Sequence, residues 1–546
     1  MISLLLGVWG GNSLLGQEKY WVQFVDKAPV EAFAPEQLLS PAALANRARQ
    51  GIQLDDKDVP VTLSYLRQVE EMTQQTGRAS RWINAVSLPL WPDQIAQVQS
   101  LTFVQKVWRV GGYASTANLS EIQEDCPNEE AVGTHLRQLN MLGLDVLHRN
   151  GFTGKGVTIA VFDNGYHQVD SLEGFAHLFA ENRILATKDY VDGDASVFHP
   201  CVHCRHGTYV FSILSAKMPG QLMGSAPDAN YILLRTENDA SETHQEEDNW
   251  LFAAEFADSL GAQIFTTSLG YFRFDPGEGN YAQSDMDGNT AIITRAADLA
   301  ASRGIMVLNS AGNYGGTGLV APADGDSVLA IGAVNECEEY ASFSSQGFSA
   351  DGRIKPDLTA MGERTFFLHP AGDVRRNNGT SFSCPLVSGL TACLLQAYPE
   401  ADLGSMYDAL KQSADRYDTP NRFFGYGIPN GVKAAEMLGQ QLGAPVALDS
   451  DLRYQASGLN GSLLIYPNPS QGSFWLQFGE ELAEVELEVE VTDLMGRRVE
   501  VRDFEVSGTE RQLTVIGTYP SGMYVVRVYG ADGGRTYFSR KVMLVH

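Results

Sequence analysis

Three short segments of this 546-residue chain carry residue types that together support nucleophilic catalysis. VTIAVFDNGY reads as a buried strand ending in Asp163. RHGTYVFSIL reads as a helix opened by His206, and NNGTSFSCPLVSGL places Ser381 after Gly379 and Thr380 at a helix start. A carboxylate at the C-terminal end of a parallel strand lies where open α/β sheets place their ligands. Spare N–H groups and the positive end of a helix suit a developing oxyanion beside Ser381. A fourth segment, SAGN (310–313), reads as a strand end turning through Gly312 to Asn313. Each segment alone has an ordinary explanation: a strand-end cap, a satisfied polar histidine, a Gly-Thr-Ser helix cap. What sets them apart is their combination, in the order Asp, His, Ser.

The elements that must position them follow from periodicity. Residues 137–438 alternate strands and helices. VTIAVFD (157–163), NYILLRT (230–236), AQIFTTSL (262–269), GIMVLNS (304–310) and VLAIGAV (328–334) are short and apolar on both faces, as strands of a buried parallel sheet are. Helices are expected over 206–218, 245–260, 289–303 and 380–397. This is an α/β layered fold with crossovers. Residues 17–115 read as a small α+β unit, with strands near 19–25, 83–90 and 103–110. Between the first two, Val61, Leu63, Leu66, Val69 and Met72 fall at helical spacing after Pro60. Polar linkers are expected at 116–136 and 439–462. From 463 the period changes to two: Glu484, Glu486, Glu488 and Glu490 alternate with Val485, Leu487, Val489 and Val491, the pattern of a β-sandwich.

Lys+Arg number 39 and Asp+Glu 66, a net charge of 39 − 66 = −27. That argues against nucleic-acid binding, which needs a basic face to displace counterions. Residues 2–9, ISLLLGVW, form an apolar run that reads as a signal peptide spanning 1–16. No later apolar run reaches the roughly 18–20 residues of a membrane span. A G-x-S-x-G esterase elbow is absent, because the residues around Ser381 are G-T-S-F-S.

The strings AVFDNG, HGTYV, SLG (268–270), SAGN and GTSFSCPLVSG occur in the order found in subtilisin-like serine peptidases, and over about 300 residues the chain resembles that family. The resemblance implies a serine endopeptidase of subtilisin-like fold. Ser381 would be its nucleophile, His206 the general base and acid, Asp163 the residue orienting the imidazole, and Asn313 an oxyanion donor. Ser268, Leu269 and Gly270, with Ser310, Ala311 and Gly312, would line the pocket for the residue before the cut. No cofactor is implied for catalysis, although structural calcium is common in the family. DMDGN (285–289) contains a fragment of a calcium-loop pattern. Two departures stand out: Arg205 precedes the histidine where glycine is frequent and can bring charge to the cleft, and Cys384 stands where a small residue is common.

The unit at 17–115 resembles the subtilisin propeptide in position and pattern, which would chaperone folding and plug the cleft. LIYPNPSQGSF (464–474), VTDLMGRRV (491–499), YPSGMYVVRV (519–528) and FSRKVMLV (538–545) resemble the C-terminal sorting domain of type IX secretion substrates of Bacteroidetes. The expected partners are protein or peptide substrates, the chain's own propeptide and the type IX machinery. The expected destination, reached through the periplasm, is outside the cell or on its surface. The alternative is a non-catalytic surface adhesin on a peptidase scaffold.

His199, Cys201, His203, Cys204 and His206 crowd into eight positions. A zinc site is one reading, but the triad claims His206. In an exported chain a Cys201–Cys204 disulfide comes first, and pairing of one of them with Cys126 second. Cys384 and Cys393 read as buried thiols. Residues 237–249 hold six acids and no Lys or Arg. They read as a solvated loop, or more sharply as a rim of the cleft favouring basic substrates.

Overall fold

The computed structural model describes residues 17–111, 136–199, 204–238 and 240–442, and, towards the C-terminus, 464–466, 473–477, 487–493, 498–507, 510–515, 522–530 and 536–544. The expected signal peptide at 1–16, nearly all of both expected linkers, Cys126, Cys201, His203, Asp239 and the Pro-Asn-Pro of the YPNP string lie outside the described residues. The chain divides into two compact units, residues 1–446 and 447–546.

The first unit begins with β1 (Glu18–Phe24), α1 (Pro41–Arg49), α2 (Leu63–Thr73), β2 (Arg78–Ser80), β3 (Ala85–Leu90), α3 (Pro92–Gln99) and β4 (Val104–Arg109). The strands form one antiparallel sheet in the order β2-β3-β1-β4. Alternation explains it: Val22, Phe24, Val86, Leu88 and Leu90 meet Val69 of α2 and Val98 of α3 in one core. β2 escaped the sequence reading because Arg-Ala-Ser is three residues long and lacks an apolar pattern.

The catalytic layer follows with β5 (Thr158–Asp163), β6 (Ile184–Asp189), α4 (His206–Ser215), β7 (Asn230–Arg235), α5 (His244–Leu260), β8 (Ile264–Thr267), α6 (Ile292–Ser302), β9 (Met306–Ser310), β10 (Val328–Val334) and β11 (Leu358–Met361). The strands make a seven-stranded sheet, β11-β10-β9-β8-β5-β7-β6. Every pairing in it is parallel. The chain leaves β5 for the edge strand β6, returns to β7, then crosses to β8. The order therefore reverses at β5, and the crevice of such a sheet opens at the carboxyl end of the strand where it reverses. Asp163 is the last residue of that strand. A hairpin, β12 (Thr365–Leu368) with β13 (Val374–Asn377), then leads into α7 (Thr380–Ala397). β13 (VRRN) and the second half of β6 (ILATKD) are polar and β12 (TFFL) is only four residues long, so none of them reads as a buried strand from its sequence.

The N-terminal domain docks on α5 and α6. Trp21, Trp82, Ile83 and Ala85 share one core with Trp250, Phe252, Ala296 and Ala297. The polar part of the contact revises the reading of the acidic stretch. Glu237, Glu246, Glu247 and Asp248 are buried rather than solvated. Asp248 accepts hydrogen bonds from Trp21 Nε1 and from Ser87 Oγ, both at 2.8 Å, so the N-terminal domain covers it. Glu246, Glu247 and Asp248 are consecutive and so point to different sides of α5, which is covered on more than one side, while Glu237 lies before the helix; a solvated loop does not describe them.

The second unit is two four-stranded antiparallel sheets. Phe474, Leu476, Leu513 and Val515 of one sheet share a core with Val491, Tyr524, Val526 and Val528 of the other, as in a β-sandwich. Among the described residues no helix is long and apolar enough to cross a membrane.

Candidate active site

Asp163 is fully buried at the end of β5, and Oδ1 receives His206 Nδ1 at 2.8 Å and the Asn164 N–H at 2.8 Å. An ionised carboxylate only accepts, so the proton sits on Nδ1 and Nε2 is left as the basic nitrogen. His206 reaches Asp163 because α4 begins almost against β5. A Cβ at Gly207 would lie 2.2 Å from the Gly165 carbonyl and 3.0 Å from Asp163 Cβ, so only glycine permits this approach. The Gly207 N–H is held by Asn164 Oδ1 at 3.1 Å.

Ser381 lies in the first turn of α7 and is 8 % exposed. Gly379 precedes the helix with φ +153°, a backbone angle that favours glycine. Ser381 and Ser268 hold each other. Ser268 Oγ donates to the Ser381 carbonyl at 2.9 Å, and Ser381 Oγ donates to the Ser268 carbonyl at 3.2 Å. The first bond depends on Pro385. Four residues beyond Ser381, it has no N–H to offer that carbonyl, which leaves it for Ser268.

Asn313 is exposed at the end of the SAGN turn. Its Oδ1 accepts the Thr380 N–H at 2.9 Å and the Thr380 hydroxyl at 3.0 Å, which fixes the amide orientation. A Cβ at Gly379 would lie 3.7 Å from Asn313 Nδ2, so the NH2 lies close to the turn that carries Ser381. Thr380 Oγ1 also receives the Gly312 N–H at 3.2 Å. Thr380 is thus a locking residue that sequence reasoning passed over, although it stood in the quoted GTS string.

The two strips differ. Ser310, Ala311 and Gly312 are buried, and the Ala311 N–H and Gly312 carbonyl bond inward to Ile331 and Ser345. These two backbone groups are therefore already paired within the fold. Leu269 and Gly270 are half-buried, and the Leu269 carbonyl accepts Asn309 Nδ2 at 3.0 Å.

Cys204 is disulfide-bonded; Cys126 and Cys201 are outside the described residues. A disulfide sulfur is not a thiolate ligand, so the zinc reading loses Cys204. Cys384 and Cys393 are buried free thiols, and burial pushes Cys384 up to about 12. Among the described residues two other clusters have metal-like spacing: Asp189, Asp192 and His199, and Glu237, Glu242 and Glu246. In the first, Arg235 already bridges both aspartates, at 2.7 and 2.5 Å. In the second, burial above all pushes Glu246 up to about 8, which relieves the like-charge contact by protonation. The DMDGN carboxylates serve the backbone: Asp287 accepts from the Asn289 and Thr290 N–H groups, and Asp285 from that of Ala282.

The subtilase family model matches residues 154–427, half of the chain. The chain belongs to the subtilase family. Two further models match this subtilase, the Bacteroidota peptidase S8 propeptide domain over 19–125 and a secretion system C-terminal sorting domain over 464–543. Subtilisin E of Bacillus subtilis (strain 168) is 27% identical over 328 residues, 58% of this chain and 76% of that one. Subtilisin of Bacillus pumilus is 28% identical over 307 residues, 55% and 98% of the two chains. Among solved structures, MycP1 from Mycobacterium smegmatis aligns with 55% of this chain and 84% of its own, at 22% identity and a TM-score of 0.44. The chain is a serine endopeptidase of the subtilase family with a secretion sorting tail that directs it out of the cell or to the surface.

Proposed function

We propose that Asp163, His206 and Ser381 act as a catalytic triad that hydrolyses peptide bonds through an acyl-enzyme. The reading is carried by the contact of His206 Nδ1 with the buried Asp163 carboxylate, beside an Asn313 amide locked by Thr380 at the nucleophile's turn. Ser381 Oγ turns from the Ser268 carbonyl towards His206 when substrate arrives, since catalytic hydrogen bonds are often incomplete before substrate binds. It attacks the scissile carbonyl while His206 Nε2 takes its proton. Asp163 holds the ring and offsets the imidazolium charge. Asn313 Nδ2 and the Ser381 N–H receive the oxyanion. His206 then protonates the leaving amine, and water repeats the sequence on the acyl-enzyme. Leu269 and Gly270 offer half-exposed backbone to an extended peptide, and Ala311 walls the pocket.

The chain is made as a precursor. The N-terminal domain is removed after folding, and the sorting domain is removed on passage across the outer membrane. Processed enzyme should label with a fluorophosphonate probe and hydrolyse casein, and Ser381→Ala should abolish both. Processed wild type that neither labels nor cleaves any peptide would overturn the reading.

A further inference from the structure

Arg205, immediately before His206, is half-buried. Its Nε is buried without a hydrogen-bond partner, and among the described residues its side chain makes no ion pair. A guanidinium seldom stays so. It carries five donors in a planar fork suited to a carboxylate, and a buried unmade bond of a charged group is costly.

The surroundings say where the missing acceptor would lie. Arg205 and Tyr209 are four residues apart at the start of α4 and share a helix face. The Tyr209 ring lies 4.5 Å from Phe367 and 5.6 Å from His369, both on the β12–β13 hairpin. Phe367 stacks on Phe382 at 5.6 Å, and Phe382 lies 6.4 Å from the His206 ring. One aromatic row thus runs from the catalytic histidine to the hairpin. His369 lies below its ordinary pKa, through burial first and Arg375 next, with Arg205 adding to the effect and Asp373 opposing it. Arg205 therefore acts on the hairpin side. Arg375 is already matched by Asp373 at 2.7 Å, and Arg376 lies over the Phe366 ring at 4.3 Å, whereas among the described residues the Arg205 guanidinium has neither kind of partner.

Building on the peptidase reading, we infer that Arg205 recognises a substrate carboxylate on the leaving-group side of the scissile bond. His206 must reach the leaving amine, so the residues that follow that amine continue on the His206 side, past Arg205 and the hairpin. The carboxylate is either an Asp or Glu side chain one to three residues after the cut, or the C-terminus of a short substrate.

The test uses processed enzyme and C-terminally amidated, internally quenched peptides that differ only at those positions. Glu should exceed Ala by about tenfold in kcat/KM, and Lys should fall below Ala. The Glu/Ala ratio within each enzyme should drop to within about twofold in Arg205→Gln and recover in part in Arg205→Lys. A second pair of peptides ends two residues after the cut, as free acid or amide. A free-acid preference assigns Arg205 to the substrate terminus, and a Glu preference in amidated peptides assigns it to a side chain. Should Arg205→Gln fail to fold, the wild-type ratio should still shrink severalfold between 0.05 and 1 M salt. Wild type that cleaves these peptides without either preference, or a ratio unmoved by Arg205→Gln, overturns this inference and leaves the peptidase reading intact. Failure to cleave any peptide overturns that reading instead.

Discussion

Two helices that pack on the same sheet are buried in opposite ways. Helix α7, TSFSCPLVSGLTACLLQA, carries no charge, and nearly all of it is interior. Helix α5, HQEEDNWLFAAEFADSL, carries Glu246, Glu247, Asp248, Glu255 and Asp258, all buried. The first is permanent core. The second is covered in part by the domain that the propeptide model matches. At that contact Arg47 Nη2 meets Asp58 and Asp258, each at 3.0 Å, and Arg81 meets Asp258 at 2.8 Å. Ser80 and the Arg81 N–H bond Glu255. Buried ion pairs add little net stability because desolvation offsets their attraction. A helix face of carboxylates is also one that water would solvate readily if the covering domain were removed. An apolar face of the same area would be an aggregation site.

The comparison can be tested from the α7 side first. Ser381→Ala should lower kcat by about 10⁶, the size of the effect in subtilisin itself, with unfolding unchanged. Asn313→Ala should cost about 10²–10³ in kcat, again the magnitude of the equivalent loss in subtilisin, with KM little changed. Gly207→Ala drives a methyl to 2.2 Å from the Gly165 carbonyl and must shift His206 from Asp163. A displacement of that size should cost about 10²-fold in kcat/KM.

On the α5 side the effects are on docking. Arg47→Ala leaves Asp58 and Asp258 short of a partner and should destabilise the Ser381→Ala precursor by about 3–5 kcal/mol in urea melts. Replacement by methionine should cost less, because its apolar stem still fills the site. The smallest effect is a pH dependence. Burial pushes Asp248 up to about 6, although Lys19 opposes the shift. A carboxyl raised above its unfolded value contributes stability that is complete below about pH 4 and is lost as pH rises through 6. Precursor stability relative to Asp248→Asn should therefore fall by roughly 2–3 kcal/mol between pH 4 and 7. A flat difference would mean that Asp248 is solvated despite Trp21 and Ser87.

The placement of Asp163 at a strand end and of His206 and Ser381 at helix starts was legible because these are local features. A buried apolar strand stops at Asp163, Gly379 breaks the chain before Ser381, and Gly312 turns it before Asn313. The parallel sheet was legible for the same reason, since residues 157–163 and 328–334 are apolar on both faces. Reciprocal bonds such as Ser268–Ser381, and the Thr380 lock on Asn313, were not legible. They join residues 113 and 67 positions apart, which no short period encodes.

What the sequence alone determined is the set of elements and the chemical groups at their ends, because backbone propensity and apolar period act over a few residues. The tertiary structure decided which charges are buried and which of them are matched. The acids at 237–249 read as solvent-facing in the sequence, whereas the N-terminal domain covers Asp248, and Arg205 is informative because its Nε is buried without a hydrogen-bond partner. Desolvation and pairing depend on everything within a few ångströms, and that neighbourhood is assembled from segments far apart in the chain.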